Sequence, residues 1–370
     1  MKKTLLIIMA VILTMCCVAA CSKEEPQEDG PVTISTEEQP DEQPTEAAEE
    51  DTGAPADASP TTGLSGHPEY LPVIVQIENE YDARPQAGLQ QADIVYESMI
   101  EATDTRFTCI YNDNYPELAG PLRSSRYYHQ RIQQEWDGLY VHMGGAMDPE
   151  FPLTYIYGES GDHIKQRIDA TKMDENEQVW RRSDKDFEHS AYVNVAELAK
   201  AYNYEPVQRQ PFKFYPLEDY ADEKGVAEIK MSFWRQPGFV GYTYDADKDK
   251  FVRYMNNLNL EPVPFITEET GEAIEVQNII VQYVSVLEAP NEGGRKIVEM
   301  AGEGPAEFFI HGKHMKGTWV RPEYTDITVY YLENGEELTL APGNTWIEVH
   351  PNDKTVLVDY DDGTTYDSYA

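Results

Sequence analysis

The chain is predicted to adopt an α+β fold: a mixed α/β domain over residues 63–225, followed by a mainly antiparallel β domain over residues 226–370. Three observations predict it. Strand-like runs alternate with helically spaced apolar stripes as far as about residue 210. After Pro216 the helical spacing disappears, and short β-branched and aromatic runs follow one another between turn residues. Residues ahead of 63 join neither domain, because they form an apolar leader and an acidic, proline-rich stretch.

The leader comes first. Lys2 and Lys3 precede a nearly unbroken apolar run from Leu5 to Val18, too short to span a bilayer comfortably and followed by no stop-transfer charge cluster. Residues 1–20 therefore read as a signal peptide. Val18-Ala19-Ala20-Cys21 has the branched, small, small, cysteine pattern of a bacterial lipobox, so lipidation is expected on Cys21. One acyl chain holds a protein reversibly, whereas a diacylglycerol holds it firmly. The mature chain is thus expected outside the cytoplasm, held to the membrane by lipid.

Residues 21–62 are expected to be the lipidated cysteine and a disordered tether. Ser22 to Thr62 carries thirteen acids against Lys23 and hardly an aliphatic side chain, so it buries too little to offset its chain entropy. Its reach lies between about 35 Å as a flexible coil and about 125 Å as polyproline II. The net charge is −38; without Lys2 and Lys3 it is −40, and removing the tether's −12 leaves −28 on residues 63–370. Such an acidic domain excludes non-specific nucleic-acid binding, which needs a basic field. Cys109 is the remaining free thiol candidate, so no internal disulfide is expected.

Within the first domain, Val73 to Ile77 reads as a strand, Ala83 to Leu89 as a turn leading into a short helical stretch, and Ile94 to Glu97 and Arg106 to Tyr111 as strands. Ser125 to Trp136 is a helix with Tyr128, Ile132 and Trp136 on one stripe. Leu139 to His142 is a strand stopped by Gly144-Gly145; Ile164 and Ile168 mark a further helix, and Val195 to Tyr202 another. The second domain is a series of strand-like runs beginning at Ile229, Val240, Phe251, Ile279, Ile297, Ala306, Thr318, Thr328, Thr345 and Thr355.

The densest polar cluster joins Arg84, Glu97, Glu101, Arg106, Arg123, Ser124, Arg126, His142, Gly144 and Gly145, at strand ends and helix starts where open sheets place their sites. Arginine offers a planar fork for carboxylate or phosphate, and a helix start adds free N–H groups. Arg84, Arg106, Arg123, Ser124, Arg126, His142, Gly144 and Gly145 are the expected contacts for an anionic envelope ligand or a partner protein. The plain alternative for Arg84 and Arg106 is an ion pair with Asp93, Glu97 or Glu101. A competing enzymatic reading makes Glu97 or Glu101, with His142, the acid and base of a cell-wall or glycan hydrolase. His189 is a lesser candidate. A third reading makes the β domain an adaptor surface, which requires a broad exposed apolar patch.

Other chemistry finds no support. His-Glu-x-x-His, Gly-x-Ser-x-Gly and Ser-x-x-Lys patterns are absent. Asp245, Asp247 and Asp249 resemble the start of a calcium loop, but Lys250 and Asn256 stand at the sixth and twelfth positions, so a hairpin turn is expected. No metal and no cofactor are implied.

The stretches Ala83 to Glu97, Thr105 to Phe107, Gly120 to Arg126, Tyr140 to Gly145, Asn278 to Tyr283, Gly302 to Gly304, Gly317 to Trp319 and Pro342 to Ile347 resemble the YerB-like lipoproteins, a bacterial family defined by domain of unknown function 3048. That resemblance implies an exported two-part architecture and no established reaction. The family pattern has Pro-His-Asn near residue 189, where this chain reads Glu188-His189-Ser190.

Overall fold

In this computed structural model the described residues are 53–368, apart from 68, 159–160, 162–163, 165, 234–239 and 258. Cys21, the leader and most of the tether lie outside them. The first half supplies β1 (Val73–Glu78), β2 (Ile94–Met99), β3 (Thr105–Tyr111), α1 (Tyr127–Trp136), β4 (Leu139–His142), β5 (Arg167–Asp169), β6 (Val179–Arg181), β7 (Ala191–Val193) and α2 (Val195–Ala201). Next come β8 (Lys224–Met231), β9 (Val240–Asp245), β10 (Lys250–Asn256), β11 (Pro262–Pro264), β12 (Glu275–Val276), β13 (Asn278–Val284), β14 (Val286–Glu288) and β15 (Lys296–Val298). The chain closes with β16 (Gly302–Ile310), β17 (Lys313–Arg321), β18 (Val329–Leu332), β19 (Thr345–Pro351), β20 (Val356–Tyr360) and β21 (Thr365–Asp367).

The first sheet runs β5-β4-β1-β3-β2-β19-β13-β16-β17-β18. Strands β5, β4, β1, β2, β19 and β13 point the same way, with β3 reversed among them. The residue pairs Thr345↔Ile94 and Trp346↔Val95 join β19 to β2, so strands of both expected domains share one ladder across the 225/226 boundary. Central strands β1 and β13 are buried along their whole length, which their near-continuous apolar sequences permit.

The second sheet, β21-β20-β8-β9-β10 with β11 and β12 beyond, is antiparallel. Its strand β10 alternates between buried and half-buried residues, the pattern of a strand with one covered face. It packs Tyr242, Phe251, Val356 and Val358 against Ile77, Val95, Phe107 and Trp346 of the first sheet. On the other face of the first sheet lies α1, whose Tyr128, Ile132 and Trp136 meet Ile74, Ile110, Tyr140 and Phe212. The expected stripe is therefore the packing face. Asn194 caps α2 by accepting from the Glu197 amide at 2.9 Å. The fold is largely β.

Three expectations change. The helix marked by Ile164 and Ile168 is replaced at Ile168 by edge strand β5, which pairs with β4 through Val141↔Ile168. Ile168 is the middle residue of a three-residue strand, and two apolar residues four apart cannot distinguish that from a helical turn. The tether's expected end at Thr62 falls too late. Ser59, Thr61 and Thr62 are buried, with Ser59 Oγ donating to Asp113 at 2.6 Å and Thr61 Oγ1 to Asp93 at 2.6 Å. Short hydroxyl side chains read as solvated from composition alone; here they satisfy two carboxylates. The third change concerns strands the sequence did not mark: β6, β7, β11, β12 and β21 are each two or three residues long. The Asp245–Asp249 turn is, as expected, the hairpin between β9 and β10, with Asp245 Oδ1 accepting from the Asp247 amide at 3.1 Å.

Candidate functional site

The parallel strands β5, β4, β1 and β2 end on one edge of the first sheet, at Asp169, His142, Glu78 and Met99. Residues 119–126 cross this edge. Glu78 N donates to Pro121 O (3.0 Å), Arg123 N to Gln76 O (3.0 Å), Met143 N to Arg123 O (3.0 Å) and Ser125 N to Gly144 O (2.9 Å). The polar cluster marked in the sequence is thus brought to one place. Each of its charged side chains already has at least one partner inside the protein.

Arg106 is buried, donates from Nη1 to Ser124 O at 2.6 Å, and is pushed down to about 10 by burial, with Arg126 adding repulsion. Arg84 donates to Asn79 O at 2.9 Å between the Tyr81 and Phe265 rings, and burial pulls it to about 10 as well. Arg126 grips Glu101 with both arms, Nε to Oε1 at 2.8 Å and Nη2 to Oε2 at 2.5 Å. Burial raises the Glu101 pKa, but that fork outweighs it and leaves the carboxyl below its usual range. Ser124 serves through its backbone carbonyl. Gly144 adopts φ 66°, accepts from Ser125 N and binds the Asp169 carboxylate through its amide at 3.0 Å. At Gly145 a Cβ would lie 2.7 Å from Ser125 O, so the residue lets two backbones approach. As ligand contacts, Arg84, Arg106, Ser124, Gly144 and Gly145 are corrected to struts that hold loops on the sheet edge.

The acid–base reading of Glu97, Glu101 and His142 fails on geometry. Glu97 is fully buried, bound by Arg253 of the second sheet and by Asn79 (3.1 Å) and Thr105 (2.5 Å) of the first. Glu101 is held by Arg126. His142 is sealed, stacked on Tyr140 at 5.1 Å, with Nδ1 2.7 Å from Gly144 O. A carbonyl only accepts, so that nitrogen carries the proton. Two further candidates, Ser98 beside His129 and the lone Cys109, are excluded as nucleophiles. His129 Nδ1 accepts from Arg126 N at 3.0 Å, so its proton sits on Nε2 and points at Ser98 Oγ, 3.1 Å away. It cannot also take the Ser98 proton. Cys109 is buried in β3, and burial pushes its thiol up and away from thiolate.

Burial holds His142 and His350 down at about 4, so both stay neutral in the fold. In the unfolded chain they protonate near 6.5. Between those values the unfolded state binds protons that the folded state refuses, so stability is full above pH 6.5 and falls as pH drops towards 4. The expected loss is on the order of 3 kcal/mol per histidine at most. Denaturant melts at pH 7 and 4.5 check this; His142→Gln should flatten the slope, and an unchanged slope in that variant contradicts the assignment.

Arg123 and His189 lie at the rim of the edge, with side chains 23% and 11% exposed. Arg123 bonds Glu78 through Nε at 2.7 Å, while its Nη2 reaches Glu80 and Glu188 only at 3.8 and 3.7 Å. His189, from the turn before β7, sets Nδ1 2.8 Å from the other Glu78 oxygen. The residue is buried, its side chain 11% exposed, and Nε2 is the ring nitrogen not bound to Glu78. Burial raises the Glu78 carboxyl pKa, and His189 and Arg123 pull against that. Glu78, Glu80 and His189 also have ligand atoms within 4.8 Å of one another, but the Arg123 guanidinium already supplies the positive charge there. Glu78 was not marked in the sequence, since a strand-end glutamate carries no local signal of its partner.

The sequence pattern of the N-terminal domain of DUF3048, a protein of unknown function, matches residues 61–208, and that of its C-terminal domain matches residues 229–347. YerB of Bacillus subtilis (strain 168), described as a candidate lipoprotein, is 26% identical over 305 residues, covering 80% of this chain and 86% of that protein. The crystal structure of YerB from Bacillus subtilis superposes with a TM-score of 0.66 at 24% identity, over 80% of this chain and 98% of that one, a likeness of fold. The first match contains the whole of the sheet edge just described and the two together span well over half of the sequence, so the chain belongs to the DUF3048 family of proteins of unknown function.

Proposed function

We propose that the mature chain is an extracytoplasmic lipoprotein anchored through Cys21, and that its folded domain recognises an anionic envelope ligand with Arg123 and His189. The lipobox and the description of YerB as a candidate lipoprotein support the anchor. One observation carries the binding reading. The buried Glu78 carboxylate orients both Arg123 and His189 through Nε and Nδ1, so that Nη2 keeps only long carboxylate contacts and Nε2 is the imidazole nitrogen turned away from Glu78. When the imidazole is protonated both nitrogens donate, so ring and guanidinium offer two N–H groups to one carboxylate or phosphate. The carboxylates opposite Nη2 are long contacts from partly exposed side chains, of the kind worth little in water.

Citrate and inorganic phosphate serve as probes, read by thermal shift and by the His189 ring signals in NMR. Arg123→Gln and His189→Gln should each weaken binding about tenfold or more, the worth of a hydrogen bond to a charged group. Arg126→Gln should lower the melting temperature yet keep the affinity, because Arg126 is a strut. Equal affinities in wild type, Arg123→Gln and His189→Gln would refute the site. The adaptor reading finds little support: the large apolar side chains exposed in residues 226–370, among the described residues, are Leu260, Val263 and Leu287.

A further inference from the structure

At the β5 end of the same sheet edge lies a cavity of about 230 Å³, walled by the segment that follows β5, by β6 and by Met143. It adjoins the Arg123 site, since Met143 N donates to Arg123 O at 3.0 Å, but neither Arg123 nor His189 lines it. The two arginines hold the Phe187–Ser190 turn at different atoms. Arg123 Nη1 donates to Glu188 O at 3.2 Å, whereas Arg181 Nη1, from β6, donates to Phe187 O at 2.7 Å and Ser190 Oγ at 3.1 Å.

The apolar wall is built of polarisable groups. Met143 and Met173 bring thioethers and Trp180 an indole, all three half-buried. Thioether sulfur and an indole both favour contact with an aromatic ring. A cavity of about 150 Å³ takes benzene, so this one has room for such a ring and a small polar head. The charged wall carries both signs. Arg181 is half-buried, its Cζ 3.9 Å from the Phe187 ring centre, and it forms no ion pair among the described residues. Its Nη2 lies 4.0 Å from the Met143 sulfur, a weak acceptor. Glu175 turns its carboxylate to the Arg181 main chain, Oε2 accepting from the amide at 3.3 Å, and Asp174 beside it is exposed. One guanidinium and two carboxylates thus border the cavity without pairing with each other.

We infer that this cavity binds an α-amino acid with an aromatic side chain: the ring against Met143, Met173 and Trp180, the carboxylate on Arg181, and the ammonium on Asp174 and Glu175. A ligand of one sign meets like charge on part of this wall, and like-charge juxtaposition is costly. A zwitterion finds a partner for each of its charges. Arginine is suited to the carboxylate because its planar fork can donate twice. The site is separate from the one at Arg123 and does not rest on that reading.

Calorimetric titration of the full chain in detergent tests this, with L-phenylalanine as the probe. Three comparison ligands each lack one group: 3-phenylpropionate the ammonium, phenethylamine the carboxylate and L-alanine the ring. L-phenylalanine should bind about tenfold or more tightly than each of them, the worth of one charged hydrogen bond or one buried ring. Arg181→Gln should weaken L-phenylalanine and 3-phenylpropionate about tenfold and leave phenethylamine unchanged. The double variant Asp174→Asn, Glu175→Gln, confined to exposed side chains, should weaken L-phenylalanine and phenethylamine and spare 3-phenylpropionate. Absence of L-phenylalanine binding, equal binding of any comparison ligand, or wild-type affinity in both charge variants would each overturn the inference. So would equal weakening of every ligand in Arg181→Gln, which would make Arg181 a strut of the Phe187–Ser190 turn.

Discussion

Arg253→Ala should cost the folded domain on the order of 3–5 kcal/mol, the usual result of removing one partner from a buried ion pair. The guanidinium projects from β10 in the second sheet and is fully buried. It binds Glu97 on β2 and Glu348 on β19, the latter at 3.0 Å, together with the Tyr242 hydroxyl, and lies 4.5 Å from the Trp346 ring. Glu97 and Glu348 are opposite one another in the β2–β19 ladder. Without Arg253 two carboxylates would face each other in the core. Even with it, burial and the Glu97 charge push Glu348 up to about 8. The pair therefore tolerates one negative charge far better than two. The loss should show as a lower denaturant midpoint with an unchanged slope. It should be smaller at pH 5 than at pH 8, because the stranded carboxylates can protonate. The triple variant Glu97→Gln, Arg253→Met, Glu348→Gln should recover much of the loss. A change below 1 kcal/mol in Arg253→Ala would mean that this network does not hold the two sheets together.

Local patterns made most strands readable. The runs at Val73, Ile94, Leu139, Ile279 and Thr345 are apolar enough to be central strands, and they are. The α1 stripe was equally plain. What no local pattern carries is the joining of β2 to β19 across some 250 residues of chain. Parallel pairing at that separation leaves no turn between the partners to mark it. Hence the sequence divides into two domains while the sheet does not divide there. The site follows the same logic. Residue chemistry drew attention to one sheet edge, because arginines, a histidine and paired glycines at strand ends are unusual in an acidic chain. Partnership could not be read, because Arg126 finds Glu101 and Arg123 finds Glu78 only after the edge loops close. Arg253 was passed over within a strand-like run, its partners lying more than 90 residues away in both directions.

The proposed anchor has the largest consequence in the cell. A diacylated cysteine holds a protein on the membrane essentially permanently, whereas an acidic chain of net charge −38 has no electrostatic attraction to an anionic bilayer. Attachment should therefore depend wholly on the lipid at Cys21. The acidic residues that follow would then set the distance at which the folded edge, with Arg123 and His189, meets its ligand. Membrane fractionation of wild type and Cys21→Ala, combined with incorporation of radiolabelled fatty acid, tests this directly. The account predicts labelled wild-type protein in the membrane fraction, and unlabelled Cys21→Ala released from the anchored pool. Equal membrane retention of the two, or labelling that survives the substitution, would contradict it.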